Sequence, residues 1–227
     1  YFQKIKIINT ENNLKVLTSD KETFKSEFLI NCAGLFSDTV AELDNIKPDL
    51  RIIPFRGEYY VLSQEKAYLV NNMIYPISDP NLPFLGIHLT KTVDGQIEAG
   101  PNAVLAFAKE GYKWSNINVS EFMKTISYKG MWKLGKQYLG TGVSEMYRSL
   151  NKRVFLKEIL NYIPDVRLSD LKPRVAGVRA QAVSSNGDLI DDFVFADGNN
   201  SLHVLNAPSP AATASLAIGE YIAAKVS

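Results

Sequence analysis

Alternating hydrophobic and polar residues predict a chain built largely from short strands. At residues 4–8, KIKII alternates lysine with isoleucine, which is the two-residue period of a half-buried strand. Short apolar runs recur between residues 48 and 101, where DPN at 79–81 and DG at 94–95 supply turn residues. This stretch therefore predicts an antiparallel sheet. Further strands are predicted in SEFLINCAG, PRVAGVRAQAV, LIDDFVFA and LHVLNA.

Three other stretches predict helices. SDTVAEL predicts a helix over residues 37–43 with Ser37 as its N-cap. Between residues 120 and 162 apolar residues recur at helical spacing, and we expect glycines to divide this block into two or three helices. These glycines are Gly130, Gly135, Gly140 and Gly142. A last helix is predicted from about Ser209 to Ala224. Strands on both sides of a helical block indicate an α+β or α/β fold with two interleaved lobes.

Composition and charge narrow the classes of partner. The 227 residues include 25 basic and 24 acidic ones, so the formal net charge is +1 and gives no electrostatic argument for nucleic acid or an anionic membrane. The single cysteine, Cys32, excludes an internal disulfide and suits a reducing compartment. We find no apolar run of about 18 residues, so no transmembrane helix is predicted. No signal peptide is evident, and no residue is assigned to a metal site.

The start of the last predicted helix is unusually rich in proline and small residues. With Ser209 as N-cap and Pro210 in the first helical position, the backbone N–H groups of the first turn are free to meet an electron-rich group. The residues that leave the backbone open to close approach are Ala211, Ala212, Thr213, Ala214 and Ser215. Two interpretations stay open, a helix packed tightly against a sheet and a ligand at the helix N-terminus.

The stretch FLGIHLT predicts a strand with two different faces. Alternation places Leu85, Ile87 and Leu89 on a core face. Gly86, His88 and Thr90 then share the other face. A neutral imidazole there is able to take up a proton near pH 7, so His88 is a candidate base. The alternative is an ordinary surface histidine or one with satisfied hydrogen bonds in the core.

The stretch AGVRAQA places an arginine within an otherwise apolar strand. Arg179 and Gln181 share one predicted face, and a buried guanidinium is costly unless it is paired. Its planar fork suits a substrate carboxylate. An ion pair with Asp191 or Asp192 is the alternative.

In PFRGEYY, Gly57 interrupts a predicted strand. Its position between Arg56 and Glu58 indicates a bulge or the close approach of another molecule. Tyr59 and Tyr60 are predicted to place one hydroxyl on each face of the strand.

Six stretches of the chain resemble, in their order, the sequence blocks of one enzyme superfamily. They are INCAGLFSDTVA, IIPFRGEYYVL, LGIHLT, GPNAVLAFAKEGY, AGVRAQA and LHVLNAPSPAATASLAIG, and they extend from Ile30 to Gly219. The superfamily is that of the D-amino-acid oxidases, whose members use FAD to oxidise amino acids and hydroxy acids. Within it, the chain is most similar to the branch that oxidises L-2-hydroxyglutarate. The last stretch is fairly specific, whereas CAG or GVR alone would not be.

The resemblance implies where FAD binds. Ala33 and Gly34 stand where the family passes its backbone beside FAD, and Gly57 is a further cofactor candidate. The segment from Pro208 to Ala212 stands where the family points a helix N-terminus at the pyrimidine ring of the flavin. That role has a physical basis, because reduced flavin develops negative charge, which N–H donors and a helix dipole stabilise.

The resemblance also implies how the substrate is held. Arg179 stands where the superfamily binds the substrate carboxylate, and His88 matches a histidine near the reactive face of the flavin. The implied reaction moves a hydride from the substrate carbon to FAD while a base removes the hydroxyl proton. A dicarboxylate needs a second cation, for which Arg56 and Lys91 are both candidates. The further substrate-binding candidates are Arg56, Tyr59 and Gln181.

One departure from the family pattern is large. The superfamily opens with a strand, a G-x-G-x-x-G turn and a helix, yet the first 33 residues here contain no glycine. The nearest approximation, Gly140-Thr141-Gly142, has Glu145 at the third glycine position. We therefore expect a C-terminal part of such an enzyme, which binds FAD weakly or not at all and is inactive alone. Residues 1–46 and 184–227 are expected to belong to the FAD lobe, and residues 47–183 to an antiparallel substrate domain with helices.

Several alternatives stay open at this point. A sister flavoenzyme acting on glycerol 3-phosphate or an amino acid is one, and a binding or structural domain without catalysis is another. Oxygen and quinone both stay open as the electron acceptor. The expected location is cytoplasmic, with peripheral contact to the inner face of a membrane left open for the whole enzyme. Self-association through uncovered apolar surface is also expected.

Overall fold

The structure, a computed structural model, describes residues 5–12, 14–77 and 86–226. Within these residues the strands, in chain order, are β1 (Ile5–Glu11), β2 (Leu14–Ser19), β3 (Thr23–Ser26), β4 (Leu29–Asn31), β5 (Leu50–Gly57), β6 (Tyr60–Leu62), β7 (His88–Lys91), β8 (Ile97–Gly100), β9 (Val104–Leu105), β10 (Leu171–Pro173), β11 (Gly177–Ser184), β12 (Val194–Gly198) and β13 (Ser201–Asn206). The helices are α1 (Ser37–Leu43), α2 (Val119–Ile126), α3 (Lys129–Gln137), α4 (Leu139–Leu150), α5 (Lys152–Ile159) and α6 (Ser215–Val226). Short 3-10 helical turns lie at Gly34–Phe36, Gln64–Leu69 and Leu168–Asp170.

The chain forms two compact units, residues 1–53 with 180–227 (the first unit) and residues 54–179 (the second unit). Strands β5 and β11 each carry the chain from one unit into the other. The prediction of mixed helices and mainly antiparallel sheets is confirmed. The assignment of one unit to FAD and the other to substrate stays a prediction.

In the first unit, strand β13 supplies three residues, Val204, Leu205 and Asn206, to the lining of a cavity. It pairs with β12 in antiparallel fashion and with β4 in parallel fashion, and the register places His203 opposite Asn31. All six residues of β13 are buried, as expected for a strand covered on both faces. Strands β1, β2 and β3 form a separate antiparallel sheet.

In the second unit, a four-stranded antiparallel sheet in the order β10-β6-β8-β7 packs against α5. Phe155 and Ile159 of α5 lie in one core with Ile87 and Leu89, which are 1% and 0% exposed. The predicted core face around β7 is thus confirmed for these two residues, and His88 between them is half-buried on the other face. Leu85 and the turn predicted at residues 79–81 lie outside the described residues.

The predicted caps of two helices are wrong. Ser37 is the first residue inside α1, and its hydroxyl donates to the carbonyl of Leu205 rather than capping the helix. Ser209 is not the N-cap of the last helix, because α6 begins only at Ser215. Residues 209–214 form turns in which the carbonyl of Pro210 accepts the N–H groups of Thr213 and Ala214. The N–H groups of Ala211 and Thr213 reach back three residues, to the carbonyls of Pro208 and Pro210, which is the spacing of a turn and not of an α-helix.

The predicted division of the helical block at glycines is also wrong. Four helices form there, and all four glycines lie within α3 or α4. Asparagine side chains cap the starts of α2 and α5, where Asn118 accepts the N–H of Glu121 and Asn151 accepts the N–H of Arg153. Helices α3 and α4 begin after Tyr128 and Tyr138 without a side-chain cap. Two strand predictions also need correction, since MIYPI forms only an isolated bridge at Ile74 and SEFLINCAG is split into β3 and β4.

Candidate functional site

A cavity of about 420 Å³ opens in the first unit between the segment after β4 and the start of α6. It brings together residues that lie far apart in the sequence. Those with little side-chain bulk are Gly34, Ala180, Ala207, Ala211, Ala212 and Gly219. Its volume falls within the range of about 300–1,000 Å³ that is usual for small-molecule sites.

The cavity wall is shaped by residues that leave the backbone uncovered. Gly34 has a φ of 54°, a conformation that favours glycine, and no atom lies within 4 Å of the position its Cβ would occupy. Ala33 beside it donates its N–H to Oδ1 of Asn31. Pro208, Ser209 and Pro210 form the turn that leads to Ala211 and Ala212 at the cavity. A flat aromatic ring is able to approach such a wall closely, so the residues present fit a part of FAD.

Behind this wall lies a buried polar network that the sequence did not reveal. Nζ of Lys15 lies 2.5 Å from Oδ1 of Asp44. Oδ2 of Asp44 accepts the hydroxyl of Ser201 at 2.5 Å and lies 3.0 Å from Nε2 of His203. The other ring nitrogen of His203, Nδ1, lies 3.0 Å from Nδ2 of Asn31. Lys15 and His203 are 2% and 0% exposed, so both depend on these partners.

The charge of Asp44 is favoured by its surroundings. Burial by itself raises the pKa of this carboxyl, but hydrogen bonds from Lys15, Ser201 and His203 together outweigh burial and lower the pKa below its usual value. Gly198 makes room for the arrangement, because a Cβ there would lie only 2.3 Å from Oγ of Ser201. The signal in the sequence was a histidine inside a strand of otherwise buried type, LHVLN.

In the second unit, His88 is held with one nitrogen occupied. Nδ1 lies 3.4 Å from the carbonyl of Gly86, which only accepts, so Nδ1 carries the hydrogen and Nε2 keeps its lone pair. The ring stacks on Tyr75 with centroids 4.7 Å apart. Burial lowers the pKa of His88; the hydrogen bond to the carbonyl of Gly86 opposes this, the positive charge of Arg179 adds to the lowering, and the net direction is down. The ring is therefore neutral at pH 7.

The guanidinium of Arg179 is open to solvent and lies near His88. It is exposed, and among the described residues of the second unit it forms no ion pair. Asp192, one of the two alternative partners, accepts the N–H of Phe193 with its carboxylate. An exposed guanidinium has its planar fork available for a carboxylate.

Arg56 contrasts with Arg179 because it is 1% exposed. Its Nη2 lies 3.2 Å from Oε1 of Glu58, and its guanidinium lies 4.1 Å from the ring centroid of Trp114. Glu58 in turn accepts the amide of Asn102 and the hydroxyl of Ser149. Nη1 of Arg56 is buried without a hydrogen-bond partner in the described part of the chain. The role of Arg56 in substrate binding stays a prediction.

Four remaining candidates have the following surroundings. The close approach expected at Gly57 is made by the chain itself, since a Cβ there would lie 2.8 Å from Cβ of Pro101. Tyr59 is half-buried beside Gly100. Gln181 donates its amide to the carbonyls of Ala182 and Ile190, and Lys91 is exposed at the end of β7. Their assignments to cofactor or substrate stay predictions.

Comparison with known proteins defines the class. A family model described as FAD dependent oxidoreductase matches residues 2–225. The chain therefore belongs to the family of FAD-dependent oxidoreductases.

Curated relatives give a closer likeness. The chain is 50% identical over 217 residues to L-2-hydroxyglutarate dehydrogenase of Indibacter alkaliphilus, and 46% identical over 210 residues to the mitochondrial L-2-hydroxyglutarate dehydrogenase of Homo sapiens. The alignments cover 95% and 90% of this chain, and 54% and 45% of the two relatives. The chain thus spans about half the length of the curated relatives it matches.

A solved structure shares the fold. L-α-glycerophosphate oxidase from Mycoplasma pneumoniae, with FAD bound, aligns with a TM-score of 0.64 at 20% identity, over 95% of this chain and 48% of that one. At this identity the likeness concerns the fold alone. In the described residues, no helix has both the length and the apolar character needed to cross a bilayer.

Proposed function

We propose that the whole protein is a FAD-dependent dehydrogenase that oxidises the hydroxyl group of L-2-hydroxyglutarate. The family supports the use of FAD, and relatives of that name at 43–50% identity support the substrate. One observation carries the assignment of chemistry: among the described residues Nε2 of His88 has no hydrogen-bond partner, while the exposed guanidinium of Arg179 lies close enough to lower the pKa of the ring.

In this proposal His88 removes the hydroxyl proton. Its Nδ1–H is turned towards the carbonyl of Gly86, which fixes the tautomer and leaves Nε2 as the acceptor. Because burial and the charge of Arg179 lower its pKa, the ring is ready to accept a proton near neutral pH. Stacking on Tyr75 restricts rotation of the ring and so orients Nε2.

Arg179 is proposed to bind the carboxylate beside the reacting carbon, through two parallel hydrogen bonds. A dicarboxylate also needs a cation for its far end, and Arg56 and Lys91 both stay candidates. Arg56 is already engaged by Glu58, whereas Lys91 is exposed. Tyr59 and Gln181 are proposed to complete the substrate contacts.

The cavity of the first unit is proposed to take a part of FAD. When bound, FAD supplies the acceptor for the hydride released from the substrate carbon. Gly34, Ala211 and Ala212 provide the small side chains that permit close approach, and the turn from Pro208 to Pro210 leads the chain into that wall. The N–H groups of Ala211, Thr213 and Ala214 bond to carbonyls within the turns, so those of Ser209 and Ala212 are the ones proposed to favour negative charge on the ring.

A substrate panel tests the proposed function. The whole protein, loaded with FAD, is assayed with a dye acceptor on L-2-hydroxyglutarate, D-2-hydroxyglutarate, glycerol 3-phosphate and L-amino acids. We expect dye reduction with L-2-hydroxyglutarate and formation of a 2-oxo acid without ammonia. Release of ammonia from an amino acid, or turnover of glycerol 3-phosphate alone, would assign the protein to a sister flavoenzyme instead.

We further propose that these 227 residues, purified alone, hold FAD weakly, because they contain no G-x-G-x-x-G sequence for the pyrophosphate. Visible absorbance at one flavin per chain after gel filtration would contradict this.

The one cysteine supports a reducing compartment such as the cytoplasm. Contact with the inner face of a membrane, quinone as acceptor and self-association stay proposals. Membrane fractionation, acceptor assays and sedimentation respectively test them.

A further inference from the structure

The hydrogens of the buried network can be assigned from its geometry. Oδ1 of Asn31 accepts the N–H of Ala33, and Nδ2 donates to the carbonyl of Ser37 at 2.8 Å. Both contacts fix the same orientation of the amide, so Nδ2 also faces His203 as a donor. Nδ1 of His203 must then be an acceptor, and the hydrogen lies on Nε2, where Asp44 accepts it.

This assignment gives the network a direction. Lys15 and Ser201 donate to the carboxylate of Asp44, which also accepts the Nε2–H of His203. Nδ1 of His203 in turn accepts an amide N–H of Asn31. The amide in turn holds the N–H of Ala33, in the middle of the segment Cys32–Gly34. Cys32 and Gly34 both line the cavity of the first unit. The side chains of Asp44, His203 and Asn31 thus connect the buried ion pair of Lys15 to the wall of the cavity.

We propose that His203 is a positioning residue, which fixes Asn31 through Nδ1 and thereby sets the cavity wall formed by Cys32–Gly34. The consequence for FAD rests on the proposed function, because it requires FAD to bind in this cavity. The positioning itself depends only on the contacts described above.

Two substitutions separate positioning from simple stabilisation. An asparagine side chain is able to reproduce the Nδ1 side of histidine, so His203→Asn keeps an acceptor for Asn31 and loses the donor to Asp44. A glutamine side chain reproduces the Nε2 side, so His203→Gln keeps the donor to Asp44 and loses the acceptor for Asn31. Both remove one buried hydrogen bond, but only the second releases Asn31.

Cys32 is a natural probe of the segment, since it is exposed and is the single cysteine of the chain. We measure its alkylation rate by iodoacetamide, with peptide mass spectrometry, in the wild-type protein and both variants. His203→Gln is expected to change the rate by about 2- to 13-fold, the effect of one lost hydrogen bond, while His203→Asn stays near the wild-type rate. Equal rates in all three proteins, or equal changes in both variants, would overturn the positioning role.

A measurement on the unmodified protein covers the case in which a variant does not fold. Long-range ¹H–¹⁵N spectra report the tautomer of each histidine, and the chain has only two. We expect the Nε2–H form for His203. A hydrogen on Nδ1, alone or in the charged ring, would overturn the proposal because Nδ1 would then be unable to accept from Asn31.

Addition of FAD separates this inference from the proposed function. If FAD occupies the cavity of the whole protein, it is expected to slow alkylation of Cys32, and more FAD is expected to be needed in His203→Gln than in His203→Asn. No protection in the wild-type protein would refute the cofactor site at this cavity, while the difference between the variants would still support the positioning role. Protection with identical FAD affinity in both variants would refute the consequence for FAD.

Discussion

The surroundings of β7 in the second unit and of β13 in the first unit each contain one of the two histidines of the chain, and they use it differently. His88 is half-buried, and one ring nitrogen is left free by the described residues. His203 is fully buried, and both nitrogens have partners. A histidine is therefore a candidate for chemistry when one of its ring nitrogens has no hydrogen-bond partner; its residue type and its position in a strand do not decide this.

The largest expected effect is a loss of catalytic activity when His88 is replaced. His88→Gln is expected to lower kcat of the whole protein by about 10²- to 10⁴-fold, because it removes the proposed base. The free energy of unfolding should fall by no more than about 1.5 kcal/mol, since the half-buried side chain loses its stacking on Tyr75 and one weak hydrogen bond to the backbone. Urea unfolding and steady-state kinetics on the same preparation check both values. An active His88→Gln protein would remove His88 from the mechanism.

The second effect is on stability and concerns the region of His203. Asp44→Asn is expected to lower the free energy of unfolding by about 3–5 kcal/mol, because it leaves the buried Lys15 without its counter-charge. Asp20→Asn is the matched control, since Asp20 pairs with Lys6 at the surface and should cost less than about 1 kcal/mol. Equal losses of unfolding free energy in the two variants would show that the buried network contributes no more to stability than a surface ion pair.

The third effect concerns the substrate carboxylate. Arg179→Met is expected to lower kcat/KM for the hydroxy acid by about 10- to 150-fold, the effect of losing hydrogen bonds between charged groups. Arg174→Met serves as the control, because Arg174 is already paired with Glu98. If both variants lose activity equally, Arg179 has no specific role in binding.

The smallest expected effect concerns the cavity, where one substitution should raise the free energy of unfolding and lower the affinity for FAD. Gly219→Ala is expected to stabilise the protein by about 0.5–1 kcal/mol, because it removes a glycine from the interior of α6 where a Cβ meets no atom within 4 Å. Gly219 also lines the cavity, so FAD should bind more weakly. Gly135→Ala in α3 has equal space and no cavity, and should stabilise the protein without affecting FAD. Unchanged FAD affinity in Gly219→Ala would argue against this cavity as the cofactor site.

Local patterns predicted much of the fold. Alternation around β7 located Ile87 and Leu89 in the core, and SDTVAEL formed α1 over the expected residues. Helix ends were predicted less well: the glycines of the helical block lie inside α3 and α4, whereas asparagine side chains cap the starts of α2 and α5. The last helix begins six residues after Ser209.

The buried network was beyond local patterns. Its members lie on β2, at the end of α1, at the end of β4 and on β13, and only the tertiary fold brings Lys15, Asp44 and His203 together. The same is true of Arg56, whose burial depends on Trp114 from a distant part of the sequence. Sequence reasoning located candidate residues, but whether a charged side chain is satisfied or free depends on contacts across the fold.

The pH dependence of kcat/KM is the most direct test of the proposed role of His88. Burial first, and then the charge of Arg179, lower the pKa of His88 below 6.5, so the base is neutral above that value and is lost as the pH falls through the lowered pKa. For L-2-hydroxyglutarate with the whole protein, we predict a plateau above pH 6.5 and an acid limb with its midpoint below 6.5, which His88→Gln abolishes. An acid limb that persists unchanged in His88→Gln, or a wild-type midpoint above 6.5, would contradict the account.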